Sequence, residues 1–265
     1  MGVIEKYNVK VSGAPDGQPI VFAHGYGCDQ NMWRFVVPAF EDRYKVVLFD
    51  YVGAGRSDVG SYDPVRYSSL GSYADDVLEI CRSLELDNVV LTGHSVSSMI
   101  GVLAVNRQPE IFDKLVMVCP SPRYINDGDY TGGFGEADIL ELLESLESNY
   151  LGWSSAMAPV IMGNPDRPEL GRELEASFCR TDPKIARDFA RITFMADNRA
   201  DLAQVKVPTL VLQCRSDAIA PVGVGEYVRD SLPLSSYVLL NATGHCPHLS
   251  MPKETAEAIS EFVDG

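Results

Sequence analysis

The feature that most constrains this 265-residue chain is a rhythm of short apolar, β-branched runs separated by stretches of helical period. The runs are QPIVFA (18–23), YKVVLFD (44–50), NVVLTG (88–93), KLVMVCP (114–120), PTLVLQC (208–214) and SYVLL (236–240). Near-continuous apolarity over that length suits strands covered on both faces, as a parallel sheet requires. Helix-period segments at 69–86, 97–109, 222–232 and 253–263 supply the crossovers. The expectation is an α/β fold, a mostly parallel twisted sheet with helices on both faces.

The alternation stops after Pro120 and resumes near residue 201. From Arg123 to Ala200 the pattern is helical, broken by Pro- and Gly-rich tracts such as NDGDYTGGFGE and MGNPDRPELG. A helical insertion between two halves of a sheet belongs over the C-terminal strand edge, where α/β proteins bind their ligands. We therefore expect a core of residues 1–122 and 201–265 and a helical lid over 123–200. A chain of this length buries a core without staples. Its six cysteines are scattered, form no C-x-x-C and sit partly inside strand runs. They read as buried free thiols rather than disulfides, zinc ligands or a nucleophile.

Charge narrows the partners. Thirty-seven acidic residues against 22 Lys and Arg give a net charge of −15, which repels phosphate backbones and anionic lipid surfaces. Nucleic-acid and membrane binding are excluded on that ground. No run approaches the roughly eighteen consecutive apolar residues of a membrane span. The N-terminal MGVIEKYNVKVSG lacks a secretory pattern, and Lys6 breaks the myristoylation pattern. A cytoplasmic protein is expected.

The chemistry is carried by Gly93-His94-Ser95-Val96-Ser97, which follows one strand run and opens a helix. That is the placement of a nucleophile elbow, where a sharp strand–turn–helix lifts a serine hydroxyl beside a helix N-terminus. A Ser hydroxyl needs a base, usually His, oriented by a carboxylate. Of the four histidines, His245 follows the last strand run, and Asp217 follows the run ending at Cys214. In a parallel sheet both loops reach the same edge as Ser95. The order Ser95, Asp217, His245 is that of an α/β-hydrolase fold. Backbone N–H groups of Tyr26 and Val96 are the expected oxyanion hole, with His24 a structural residue in its loop. Gly53-Ala54-Gly55 fails as a dinucleotide motif because Asp58 stands where glycine is needed, and His245 with His248 lacks a third zinc ligand. Neither a cofactor nor a metal is expected.

Longer motifs add a resemblance. The tract His24-Gly25-Tyr26-Gly27-Cys28-Asp29-Gln30 with Trp33, then FDYVGAGRSD (49–58), GHSVSSMIG (93–101), SPRYINDGDYTGGF (121–134) and GHCPHLS (244–250), resembles one α/β-hydrolase subfamily. It holds the bacterial stress regulator RsbQ and the plant strigolactone and karrikin receptors. The likeness covers nearly the whole chain, and PDRPEL and FCRTDP lean towards the RsbQ side. The resemblance implies a lid of four helices and a small apolar pocket over Ser95, lined by Tyr26, Tyr124, Phe134, Trp153, Met157, Phe194 and Ile219. Met157 stands where a plant receptor is expected to carry Phe, a departure that weighs against strigolactone-like specificity.

Two functions follow as expectations. One is a serine hydrolase of small lipophilic esters or butenolide-type lactones. The other is a ligand-responsive signalling protein whose lid engages a protein partner, a phosphatase by the RsbQ likeness, with slow or incidental hydrolysis. A carbon–carbon bond hydrolase or thioesterase would use the same triad. An Asp-nucleophile dehalogenase or epoxide hydrolase is disfavoured, because the elbow holds Ser95.

Overall fold

A computed structural model describes residues 1–265. In chain order the elements are α1 (Val3–Lys6), β1 (Lys10–Gly13), β2 (Gln18–Ala23), β3 (Tyr44–Leu48), α2 (Leu70–Ser83), β4 (Val89–His94), α3 (Val96–Arg107) and β5 (Phe112–Val118). Four helices follow, α4 (Glu136–Ser148), α5 (Tyr150–Met162), α6 (Pro168–Phe178) and α7 (Pro183–Phe194), then the short α8 (Arg199–Leu202). The chain closes with β6 (Thr209–Ser216), α9 (Val222–Ser231), β7 (Ser235–Thr243), α10 (Pro247–Ser250) and α11 (Pro252–Asp264).

The strands form one sheet in the order β1-β3-β2-β4-β5-β6-β7, parallel throughout except for β1. Each of the six apolar runs lies on a parallel strand. Strand β1 escapes the sequence pattern because all four of its residues are exposed at the sheet edge. Side chains alternate across the pleat, so β4 feeds two cores: Val89 and Leu91 pack on one face, Val90 on the other. The first core takes the apolar stripes of α2, α3 and α9, with Tyr73, Val77 and Ile80 of α2 at helical spacing. Helix α11 closes the second through Ala256, Ile259 and Val263. Each fully buried Leu, Val or Ile there contributes about 1.5–3 kcal/mol by leaving water.

A third apolar cluster lies above the sheet edge. Helices α4 to α7 turn Ile139, Leu146, Trp153, Ile161, Leu174 and Phe194 inward against Met32, Ile219 and Leu249 of the core loops. This assembly buries what four amphipathic helices cannot bury alone. Five cysteines are buried as free thiols, whereas Cys179, just past the end of α6, is exposed and departs from the expectation.

Candidate active site

Strand β4 ends at His94 and α3 begins at Val96, leaving Ser95 as the single residue of the turn. Its backbone sits at φ 56° and ψ −121°, a conformation that costs a non-glycine residue about 1–3 kcal/mol. The turn is held by the Ser95 N–H donating to Val118 O of β5 at 2.8 Å. So tight a turn brings Gly93 against the following helix: a Cβ there would lie 2.4 Å from the Ser97 carbonyl oxygen.

The loops after β6 and β7 bring the other two residues to this edge. His245 Nε2 lies 2.7 Å from Ser95 Oγ, and His245 Nδ1 lies 2.7 Å from Asp217 Oδ2. A carboxylate can only accept, so Nδ1 carries the proton and Nε2 offers its lone pair to the serine hydroxyl. The second carboxylate oxygen of Asp217 accepts the N–H groups of Ile219 and Ala220 at 2.8 and 3.1 Å. Asp217 is thereby fixed in orientation while nearly shielded from water. Both ring nitrogens of His245 are engaged, which leaves it none to share with His248.

The main chain of His245 is gripped at both ends. Its N–H donates to Ile161 O at the end of α5 (2.8 Å), and its C=O accepts Nε2–H of His94 (2.7 Å). Donation from Nε2 makes His94 the neutral Nε2–H tautomer. Burial holds the His94 imidazole well below its ordinary range, with His248 and His245 adding repulsion. Burial likewise lowers His248 to about 3.

The Tyr26 and Val96 N–H groups, the second at the first turn of α3, make no hydrogen bond within the chain. Their loops are joined by Ser97. Its hydroxyl donates to His24 O and lies 2.9 Å from the Tyr51 hydroxyl. The single Ser97 proton goes to the carbonyl, so Tyr51 donates to Ser97. His24 Nδ1 donates to Gly25 O at 2.9 Å, and its Nε2 accepts the Tyr51 N–H at 3.2 Å. Asp50 Oδ1 accepts the Gln30 N–H and Oδ2 that of Arg56, at 2.8 and 2.9 Å, anchoring both flanks of this loop system.

Above Ser95 lies a cavity walled by residues of the strand-end loops and the four helices, among them Tyr26, Tyr124, Trp153, Phe194, Ile219 and His245. The space in it that can hold the centre of a water molecule is about 30 Å³, room for one or two waters. A larger groove of about 680 Å³, at Ser68–Gly71, Arg107 and Met195–Asn198, opens to solvent and contains no residue of the Ser95 site.

Residues 20–258 match the model of the Alpha/beta hydrolase family. The chain belongs to that family. It is 41% identical over 254 residues to the karrikin insensitive 2 receptor CA of Petunia hybrida, spanning 95% of this chain and 94% of that one. It is 40% identical to the strigolactone esterase D14 of Arabidopsis thaliana, spanning 96% and 95%. A solved structure of olei00960, a hydrolase from Oleispira antarctica, superposes with a TM-score of 0.96 at 40% identity, covering 99% of this chain and 96% of that one. Within the family the chain thus stands beside the karrikin and strigolactone receptors, as the motif resemblance implies.

In this α/β hydrolase five of the seven residues expected at the pocket, Tyr26, Tyr124, Trp153, Phe194 and Ile219, stand on the cavity wall; Phe134 and Met157 do not. Phe134 is tied through its main chain to Tyr124 and Asn126 and packs half-buried on the outside of the cluster. Met157, one turn beyond Trp153 on α5, is also half-buried at the margin. The wall includes Cys28, Ile161, Leu174, Phe178, Thr193 and Cys246, which sequence reading did not single out. Five of these are small or apolar and indistinguishable by type from core. Thr193 alone carried a signal, a hydroxyl on the buried face of an amphipathic helix.

Proposed function

We propose that this α/β hydrolase cleaves small lipophilic esters or butenolide-type lactones, with Ser95 as nucleophile, His245 as base and Asp217 as its orienting carboxylate. The observation that carries the reading is the double 2.7 Å engagement of His245 beneath a small, apolar cavity. Ser95 Oγ attacks the carbonyl carbon as His245 Nε2 takes the hydroxyl proton, and Asp217 balances the imidazolium that forms. The oxyanion accepts from the Tyr26 and Val96 N–H groups. Collapse returns the proton to the leaving alkoxide and leaves an acyl-serine. Water, deprotonated by the same imidazole, then releases the acid and restores Ser95.

In this reading residues 123–200 serve as a lid, excluding bulk water while the ester is attacked. The name of one relative, a strigolactone esterase, agrees with an ester or lactone as substrate class. Replacing Ser95 by Ala is expected to abolish turnover of an aryl acetate and to leave the fold intact. Wild-type turnover in that variant refutes the mechanism.

A second role is favoured by the narrowness of the cavity. With room for only a water or two, a ligand of ester size has to shift residues of α5 to α7 that wall the cavity, and in this reading that shift carries occupancy to the outer surface. We read the chain as a slow hydrolase that reports its ligand to a protein partner at the lid, RsbQ-like, in the cytoplasm. A ligand-dependent change in hydrogen exchange over α4 to α7, together with slow turnover, supports this role. Fast turnover of many esters with no change there favours a plain esterase.

A further inference from the structure

The cavity over Ser95 is apolar but for a few groups, and four of these find no hydrogen-bond partner in the protein: the Thr193 hydroxyl, the Trp153 indole N–H, the Tyr26 phenol and His94 Nδ1. Thr193 and Trp153 are only 2% and 5% exposed. A threonine inside a helix usually turns its hydroxyl back to the carbonyl one turn earlier. Ser154 in α5 does so, donating to Tyr150 O at 2.8 Å, whereas Thr193 in α7 leaves its oxygen free. The Tyr26 phenol lies near the Tyr150 hydroxyl, which donates to Phe178 O at 2.8 Å and keeps lone pairs to accept from it, and His94 Nδ1 faces Gly25, so Thr193 and Trp153 are the two that remain. Shielded polar groups without partners weaken a fold, and these two, on the wall of one cavity, have beside them a space that a substrate oxygen can fill.

We infer that Thr193 and Trp153 form a polar subsite for a second, neutral oxygen function on the substrate. This rests on the hydrolase reading and specifies its substrate class. The two lead residues stand on α5 and α7, so the recognised oxygen lies against the roof, away from the carbonyl held at Ser95. An indole N–H can only donate, so the group must carry an acceptor oxygen. A threonine hydroxyl donates or accepts, so a ketone or ether satisfies the pair by accepting twice, and an alcohol by accepting from Trp153 and donating to Thr193. No Lys or Arg lines the cavity, and a carboxylate buried there would lack a counter-charge. The class is therefore keto-, alkoxy- or hydroxy-substituted esters and lactones, in preference to plain alkyl esters.

The test compares two esters that differ in one oxygen, 4-nitrophenyl 5-oxohexanoate and 4-nitrophenyl hexanoate. Wild type is expected to prefer the oxo ester by about tenfold or more in kcat/KM, since a site built to hydrogen-bond a substrate group rejects the analogue without it. The isosteric Thr193→Val should bring that ratio to within about threefold, and Trp153→Phe should do the same. A wild-type ratio near one, or a ratio unchanged in both variants, overturns the subsite. Thr193→Val should also melt no lower than wild type, because it removes an unpaired hydroxyl, so the comparison does not depend on Trp153→Phe folding. If neither ester is turned over, the hydrolase reading fails on its own. The subsite is then judged by melting shifts of Ser95→Ala with the two methyl esters. A larger shift for the oxo ester, lost with Thr193→Val, supports it, and equal shifts refute it.

Discussion

The Ser97 hydroxyl donates to the main-chain carbonyl of His24, and thereby joins the helix that follows Ser95 to the loop that carries Tyr26. A glycine at 97 would clear the elbow equally well, but it would leave the His24 carbonyl and the Tyr51 hydroxyl without this junction. The two N–H groups proposed to bind the oxyanion are thus held at a fixed spacing by one side chain and the tyrosine behind it.

Ser97→Ala should therefore lower kcat about tenfold with little change in KM, the worth of roughly one net hydrogen bond realised in the transition state. Tyr51→Phe should follow in the same direction. Steady-state kinetics on an aryl acetate measure both, and changes below twofold would show that the junction does not position the hole.

Asp217→Asn should reduce kcat by about 10⁴ while the fold persists. Asparagine Oδ1 can still accept from Ile219 and Ala220, but its amide faces His245 Nδ1 with a proton. That forces the imidazole into the tautomer that cannot take the Ser95 proton. Circular dichroism should match wild type; a loss of under tenfold would remove Asp217 from its proposed role.

Acid should destabilise the fold through His94 and His248. Both are held below the ordinary value of 6.5, His248 to about 3. Below pH 6.5 the unfolded chain takes up protons that the folded chain refuses, so stability falls as pH falls. Each imidazole contributes about 1.4 kcal/mol per pH unit across that window. Asp76, whose carboxyl burial raises, acts with the opposite sign at the acidic end. Urea unfolding at pH 7, 6 and 5 reads the slope, which His248→Phe should roughly halve.

Gly244→Ala should be severe. Gly244 sits at φ +85°, and a Cβ there would lie 1.8 Å from Met162 O at the end of α5. The left-handed backbone and the clash together cost about 3 kcal/mol or more. Because Gly244 adjoins His245, activity should fall further than stability alone explains. A variant that melts within a degree or two of wild type contradicts the described packing of α5 on this loop.

Much of this was legible in the chain because physics leaves few alternatives there. Strands covered on both faces must be apolar nearly throughout, so six of seven could be read directly, whereas exposed β1 carries no such mark. Ser95, Asp217 and His245 could be nominated because their types and order suit one sheet edge, and they do meet. Leu174 and Phe178 were opaque, since lining a cavity and filling a core demand the same side chains. Ser97, Tyr51 and Asp50 were opaque for another reason: Ser97 and Asp50 bind main-chain groups of distant loops, Tyr51 binds Ser97 from behind, and only folding makes those neighbours.

His245 is stitched on one side to the end of α5 and on the other to His94. Under the proposed function the door and the proton acceptor are consequently one mechanical piece. In that mechanism, prying α5 upward to admit a guest would withdraw the bond that seats the imidazole, and reseating it would require the chamber to shut. Admission and reactivity would then alternate within each cycle, keeping the serine unarmed whenever bulk solvent has a path to it.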